Sequence, residues 1–253
     1  DMKTPIPKTK MDELGSLING FKPFEVLSEF NYVRCMRLLD SSKQTAPKDL
    51  WHVMKGLIEL NANNLSEANE AALYVLKHSN NFSCLRNAIY IFNHTFDFDN
   101  VCKTTDKIVK LIELQKMDSK GILPRDLGLI FLLNGELWAK DSSFYSEAVF
   151  NNSFDHHTVL ADINDRLDIS ENDFKKISSI IKNTVLKNNA RVLNHDYSFI
   201  DEEFLLLIYI NKPVKEIMKI NEEIIELCFK EGLLTAFNKI SYTFVPYSEV
   251  LNG

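Results

Sequence analysis

The sequence predicts an α+β protein that is mostly helical: an antiparallel helical-hairpin domain followed by a smaller domain mixing strands and helices. Three observations lead there. Between residues 23 and 117, apolar side chains recur at spacings of three and four, the period of a helix with one buried face. Short polar breaks of three to five residues separate these runs, which makes successive helices antiparallel neighbours. From about residue 147 the pattern changes, and alternating runs appear between the helical ones. The expected organisation is an N-terminal extension at 1–22, a helical domain at 23–142 and an α+β domain at 147–253.

The first helix is expected to open at Pro23, with Phe24, Val26, Leu27, Phe30, Val33, Met36 and Leu39 on its inner face. After the polar break Ser41–Thr45, Pro47 opens a second, carrying Leu50, Trp51, Met54, Leu57 and Ile58 and stopping at Asn63-Asn64. Asn64 or Ser66 caps a third, with Ala68, Ala71, Ala72, Val75 and Leu76 inward. Segments Phe82–Phe96 and Asp99–Leu114 complete two hairpins, and Pro124 opens a further helix through Leu127, Ile130, Phe131 and Leu133.

In the second half, the alternation of Val159, Ala161 and Ile163 predicts a strand within Thr158–Ile163. Ser170 and Asp173 mark a helix start, with Phe174, Ile177, Ile181 and Val185 on one face. Two strands follow, Arg191–Ile200 and Phe204–Ile210, joined by a tight turn at Asp201-Glu202. A helix from Pro213 to Gly232 turns Val214, Ile217, Met218, Ile224, Ile225 and Cys228 inward, and Lys239–Tyr247 is the last strand.

The two hairpins align at a spacing of 34 residues, Ala68 on Cys102, Ala71 on Thr105 and Val75 on Val109. With Gly56, Ala68 and the Asn63-Asn64-Leu65 turn, residues 48–81 resemble a tetratricopeptide unit, and the likeness extends weakly to 115. Glu59, Ala72 and Asn80 depart from that family's usual Tyr, Phe and Pro, and Tyr90 stands where its small Gly would recur. The resemblance implies a concave groove for a peptide or protein tail. The order strand, helix, strand, strand, helix, strand resembles a ferredoxin-like domain, a fold that hosts many unrelated functions.

The formal charge of −6 and pI near 5.6 do not suit phosphate neutralisation, so a nucleic-acid partner is not expected. Lys103, Lys107 and Lys110 share a helical face but stand among acidic neighbours. Cys35, Cys84, Cys102 and Cys228 are dispersed in apolar contexts, which predicts buried free thiols and a cytoplasmic, reducing setting. Asp1-Met2-Lys3-Thr4-Pro5 holds no apolar stretch of signal-peptide length, Met2 is the expected natural start, and no run is long enough to span a bilayer.

No cofactor is expected. Glycine-rich phosphate loops and Gly-x-Ser-x-Gly elbows are absent from the sequence. The cluster Asp155-His156-His157, with His195 and Asp196, is the nearest approach to a metal set, yet adjacent strand residues point to opposite faces. The apolar strand Phe204–Ile210 lacks the basic-glycine pair of an RNA-binding sheet and predicts that both sheet faces are covered. The residues expected to bind a partner are the aromatics Tyr32, Trp51, Tyr74, Tyr90 and Phe92.

The expected function is a non-enzymatic protein–protein interaction module, an adaptor or regulatory component of a larger assembly, with self-association through the C-terminal sheet. The alternatives are an enzyme with a non-motif site in an interdomain cleft or a nucleic-acid-associated regulator.

Overall fold

The computed structural model describes residues 9–22, 25–115, 126–137, 154–200 and 203–247. It is mostly helical with one three-stranded sheet near the C-terminus. By its contacts the chain divides into two compact units, residues 1–91 and 92–253. That division falls at a different point from the expected boundary near 142–147, which lies outside the described residues.

In the first unit, α1 (Lys10–Ile18) lies within the stretch expected to be an extension. Thr9 starts it with a reciprocal capping box to Asp12, its hydroxyl accepting from the Asp12 N–H and its own N–H donating back. Next comes α2 (Glu29–Ser42), capped by Ser28 rather than opened by Pro23. Leu14 and Ile18 of α1 pack with Cys35 and Leu39 of α2 and with Met54 and Ile58 of α3 (Lys48–Asn61). Burying each such aliphatic side chain contributes roughly 1.5–3 kcal/mol.

The turn to α4 (Leu65–His78) uses Asn63 at φ 64°, a left-handed conformation that Asn adopts more readily than most residues. The two helices approach closely at Gly56. A Cβ there would lie 2.7 Å from Ile91 Cδ1, 3.3 Å from Ala71 Cβ and 3.4 Å from the Ala68 carbonyl oxygen. Small residues at 56 and 71 are therefore a steric requirement of this hairpin.

The boundary between the units falls within α5 (Phe82–His94). The second unit continues with α6 (Phe98–Gln115), α7 (Leu127–Leu133), α8 (Phe154–Leu167) and α9 (Glu171–Lys187). The strand expected at Thr158–Ile163 is thus part of a helix. Among its described side chains Leu160, Ile163 and Leu167 are buried, at spacings of three and four. The alternation in 158–163 is too short to outweigh that longer helical period.

Then come β1 (Val192–Ile200), β2 (Glu203–Ile210), α10 (Val214–Lys230), the short α11 (Leu234–Lys239) and β3 (Ile240–Pro246). The sheet order is β1-β2-β3, with β1 antiparallel and β3 parallel to β2. Parallel pairing requires a crossover, and α10 with α11 supplies it. The last strand takes the place beside β2 that a first strand would fill in a ferredoxin-like sheet, so the four-strand order expected from sequence gives way to a three-strand mixed one among the described residues.

One sheet face is closed. Phe204, Leu206, Ile208 and Ile210 of β2 and Ile240, Tyr242 and Phe244 of β3 are buried. The opposite face, with Leu205, Leu207, Tyr209, Thr243 and Val245, is only half-buried. The expectation that both faces are covered therefore holds for one.

Candidate interaction surface

The five aromatics expected to bind a partner divide by environment. Phe92 is fully buried and belongs to the core. Tyr32 is half-buried and donates its hydroxyl to Glu59, 3.2 and 3.3 Å from the two carboxylate oxygens. Glu59 itself is buried and also accepts from Asn64 Nδ2 at 2.8 Å. Burial, reinforced by the Glu59 charge, pushes the Tyr32 hydroxyl above its ordinary pKa of 10.0. The Glu59 that departs from the tetratricopeptide pattern thus anchors the Tyr32 hydroxyl and the α3–α4 turn together.

Trp51 donates its ring N–H to the Leu39 carbonyl at 3.2 Å, tying α3 to the C-terminal part of α2. Its ring meets His52 edge-on, and His52 stacks on Tyr74 at 3.6 Å between centroids. Trp51 and Tyr74 are therefore brought together through His52, as packing between α2, α3 and α4. Tyr90 is 41% exposed and, of the five, stays the most open to solvent.

A different surface is more open. On α2 the core face is Cys35 and Leu39, flanked by Tyr32 and Met36, whereas Phe30 is 76% and Val33 38% exposed, with Val26 just before the helix at 56%. Phe30 and Val33 thus point outward, contrary to the expectation that they join the inner face. They share a groove of about 570 Å³ with Glu29, Arg34, Arg37 and Leu38. The sequence held the clue: Arg34 and Arg37 lie at helical spacing beside Phe30 and Val33, and guanidinium groups do not enter an apolar core unpaired. Arg34 pairs loosely with Glu13 at 3.6 Å, both side chains about half exposed, so that pair is weak and easily exchanged.

Polar chemistry gathers in the second unit instead. His195 of β1 sits with Nε2 3.0 Å from Asp126 Oδ2, just before α7. Burial opposes the Asp126 charge, yet the hydrogen bond and positive field of His195, with help from Asn93, hold its pKa below the ordinary carboxylate value. His94 hydrogen-bonds the Val192 carbonyl through Nδ1, so Nδ1 carries the proton. Burial and then the nearby Arg191 push the His94 pKa down to about 3. Beside them Asp97 is fully buried, bonded to Asn100 and to Lys182 of α9 at 2.8 Å. The His195 side chain is 8% exposed and that of Asp126 38%, so the pair is solvated on the carboxylate side only, and it fixes β1 against the start of α7.

The side chains of Asp155, His156 and His157 lie outside the described ones, and Asp196 is exposed, accepting from its neighbour's N–H. Among the described residues no three His, Cys, Asp or Glu side chains gather as metal ligands. All four cysteines are free and buried, and burial raises Cys84 and Cys228 to about 11, which keeps them as unreactive thiols near neutral pH. On α6, Lys103 is taken up by Asp99 at 2.5 Å. No helix among the described residues is long and apolar enough to cross a membrane. Compared with known proteins, the chain matches no family model, no curated protein and no solved structure.

Proposed function

We propose that the protein is a non-enzymatic interaction module of the cytoplasm whose N-terminal helical unit docks a partner protein on the outer face of α2. The observation that carries this reading is the exposed Phe30 and Val33 beside Arg34 and Arg37 in one groove. An aromatic and an aliphatic side chain held out on a rigid helix lose little conformational entropy on binding and give a partner an anchor. The two arginines select a partner segment that carries acidic residues next to its apolar ones.

A tetratricopeptide-like character of the helices is part of the proposal. It is supported by the start of α5 at Phe82, 34 residues after α3 starts at Lys48, and by the close approach at Gly56. Four buried free thiols support the reducing compartment.

The test is affinity capture from the native host with the full chain and with Phe30→Glu, read by quantitative mass spectrometry. Phe30 is mostly solvated, so the variant keeps its fold, which circular dichroism checks. A stoichiometric acidic partner depleted about thirtyfold or more by Phe30→Glu supports the reading, that being the usual effect of removing an interface anchor. A partner retained by the variant, or none with either protein, refutes it.

A further inference from the structure

α10 carries a second surface, independent of the first. Its sheet-facing side is Ile217, Ile220, Ile224 and Cys228, all buried. The residues Val214, Met218, Ile225 and Phe229 form another stripe, exposed by 59%, 59%, 47% and 68%. The sequence pattern placed the first three of these on the inner face. A single helix cannot bury both stripes against one sheet, so the second is left to solvent. Asn221, midway along it, is committed to β3: its amide donates to the Phe244 carbonyl at 3.1 Å and its carbonyl accepts the Phe244 N–H at 3.0 Å. That bond fixes the helix beside the sheet edge and leaves the stripe rigidly displayed.

The charges flanking the stripe identify what covers it. On its solvent side run Lys215 and Lys219 in the N-terminal half, then Glu222 and Glu226 in the C-terminal half, all exposed. Lys215, Lys219 and Glu222 enter no ion pair with another described residue, and Glu226 has only a loose one with Lys230 at 3.7 Å. This pattern is complementary to itself when reversed. In an antiparallel helix pair the same flank of both helices runs side by side. With a two-fold axis near Asn221, Lys215 comes level with Glu226 of the second copy and Lys219 with its Glu222. An axis one residue further along sets Val214 against Phe229 and Met218 against Ile225. The apolar and charged registers differ by two residues, about 3 Å along the helix, which long Lys and Glu side chains span, whereas a parallel pairing would bring the charged flank against the sheet-facing one.

We propose that this face of α10 binds a second copy of the chain, forming an isologous antiparallel dimer. Seventeen residues span about 25 Å. A helix pair of that length buries close to the lower limit of roughly 1,000 Å² for a specific interface. An interface of that size belongs to the weak, transient class, so the dimer is reversible.

Sedimentation velocity of the full chain from about 1 to 500 µM tests this. Dimerisation across that range is expected, with its loss in Phe229→Glu. Lys219→Glu sets two carboxylates together and weakens the dimer about fivefold or more, and Lys219→Glu with Glu222→Lys restores it. These positions are exposed, so folding is kept in each variant and confirmed by circular dichroism. Orientation is read by oxidising a mixture of Met218→Cys and Ile225→Cys proteins, since the native thiols are buried. Antiparallel pairing gives the mixed disulfide. A monomer at every concentration, a dimer indifferent to Phe229→Glu, or disulfides formed only within each single variant overturns the proposal.

Discussion

His94 makes a quantitative prediction about acid stability. Its folded pKa of about 3 lies well below its ordinary value of 6.5, because the ring is desolvated and faces Arg191, with His195 and Asp126 nearby. Between those two values the unfolded chain holds the proton and the folded chain does not. The contribution of His94 is complete above about pH 6.5 and is lost as pH falls. At pH 5 the imbalance amounts to about 1.5 decades of proton binding, or about 2 kcal/mol at 1.36 kcal/mol per decade. The residue keeps part of its surface in contact with solvent, which lowers the expectation to about 1–2 kcal/mol. His94→Asn is the control, since an Asn amide can donate to the Val192 carbonyl as Nδ1 does and has no proton to gain. Urea unfolding of both proteins at pH 7.5, 6.5, 5.5 and 5.0, followed by circular dichroism, isolates the term as a difference of differences. The wild type should lose about 1–2 kcal/mol more than the variant between pH 7.5 and 5.0. Parallel stability curves would refute the reasoning.

Gly56→Ala should destabilise by about 1–3 kcal/mol through overpacking against Ile91, and adding Ile91→Val, which removes the clashing methyl, should recover part of it in thermal denaturation. Glu59→Ala should cost about 1–3 kcal/mol by leaving the Tyr32 hydroxyl and the Asn64 amide without their acceptor. A double-mutant cycle with Tyr32→Phe should return a coupling near 1 kcal/mol, and strict additivity would show that the hydroxyl is satisfied by water. Lys182→Met deprives the buried Asp97 carboxylate of its lysine partner and should lower stability by about 3 kcal/mol in urea unfolding; an unchanged midpoint would mean the pair is screened.

Much of the helical architecture was legible from local signals. The stops at Asn63 and Gly232 coincide with left-handed backbone at φ 64° and 70°, a requirement that Asn and Gly meet locally. The Ser170 cap accepts the Asp173 N–H as its spacing suggested. The β1 and β2 runs, 192–200 and 203–210, were legible as well, β2 as an unbroken apolar run from Phe204 to Ile210 that is strand-sized and too short for a typical helix. Thr158–Ile163 was misread because six residues fit either period, and the deciding Leu167 lies beyond them. The interaction surface was only partly legible. Aromatic content pointed to Tyr32, Trp51, Tyr74, Tyr90 and Phe92, but whether an aromatic packs or protrudes depends on the helices around it.

Local signals therefore set most of the elements and many of their ends, though not α1, the start of α2 or the state of Thr158–Ile163, since capping, turn conformation and periodicity act over a few residues. Tertiary structure alone decided which of two apolar stripes on α2 and on α10 met a partner within the chain. It also decided that His94, Asp97, Asp126, Lys182, Arg191 and His195, scattered over about a hundred positions, come together in one unit. A helix presents apolar residues in every direction that its sequence allows. Only the volume and polarity of its neighbours settle which of those directions is closed to water.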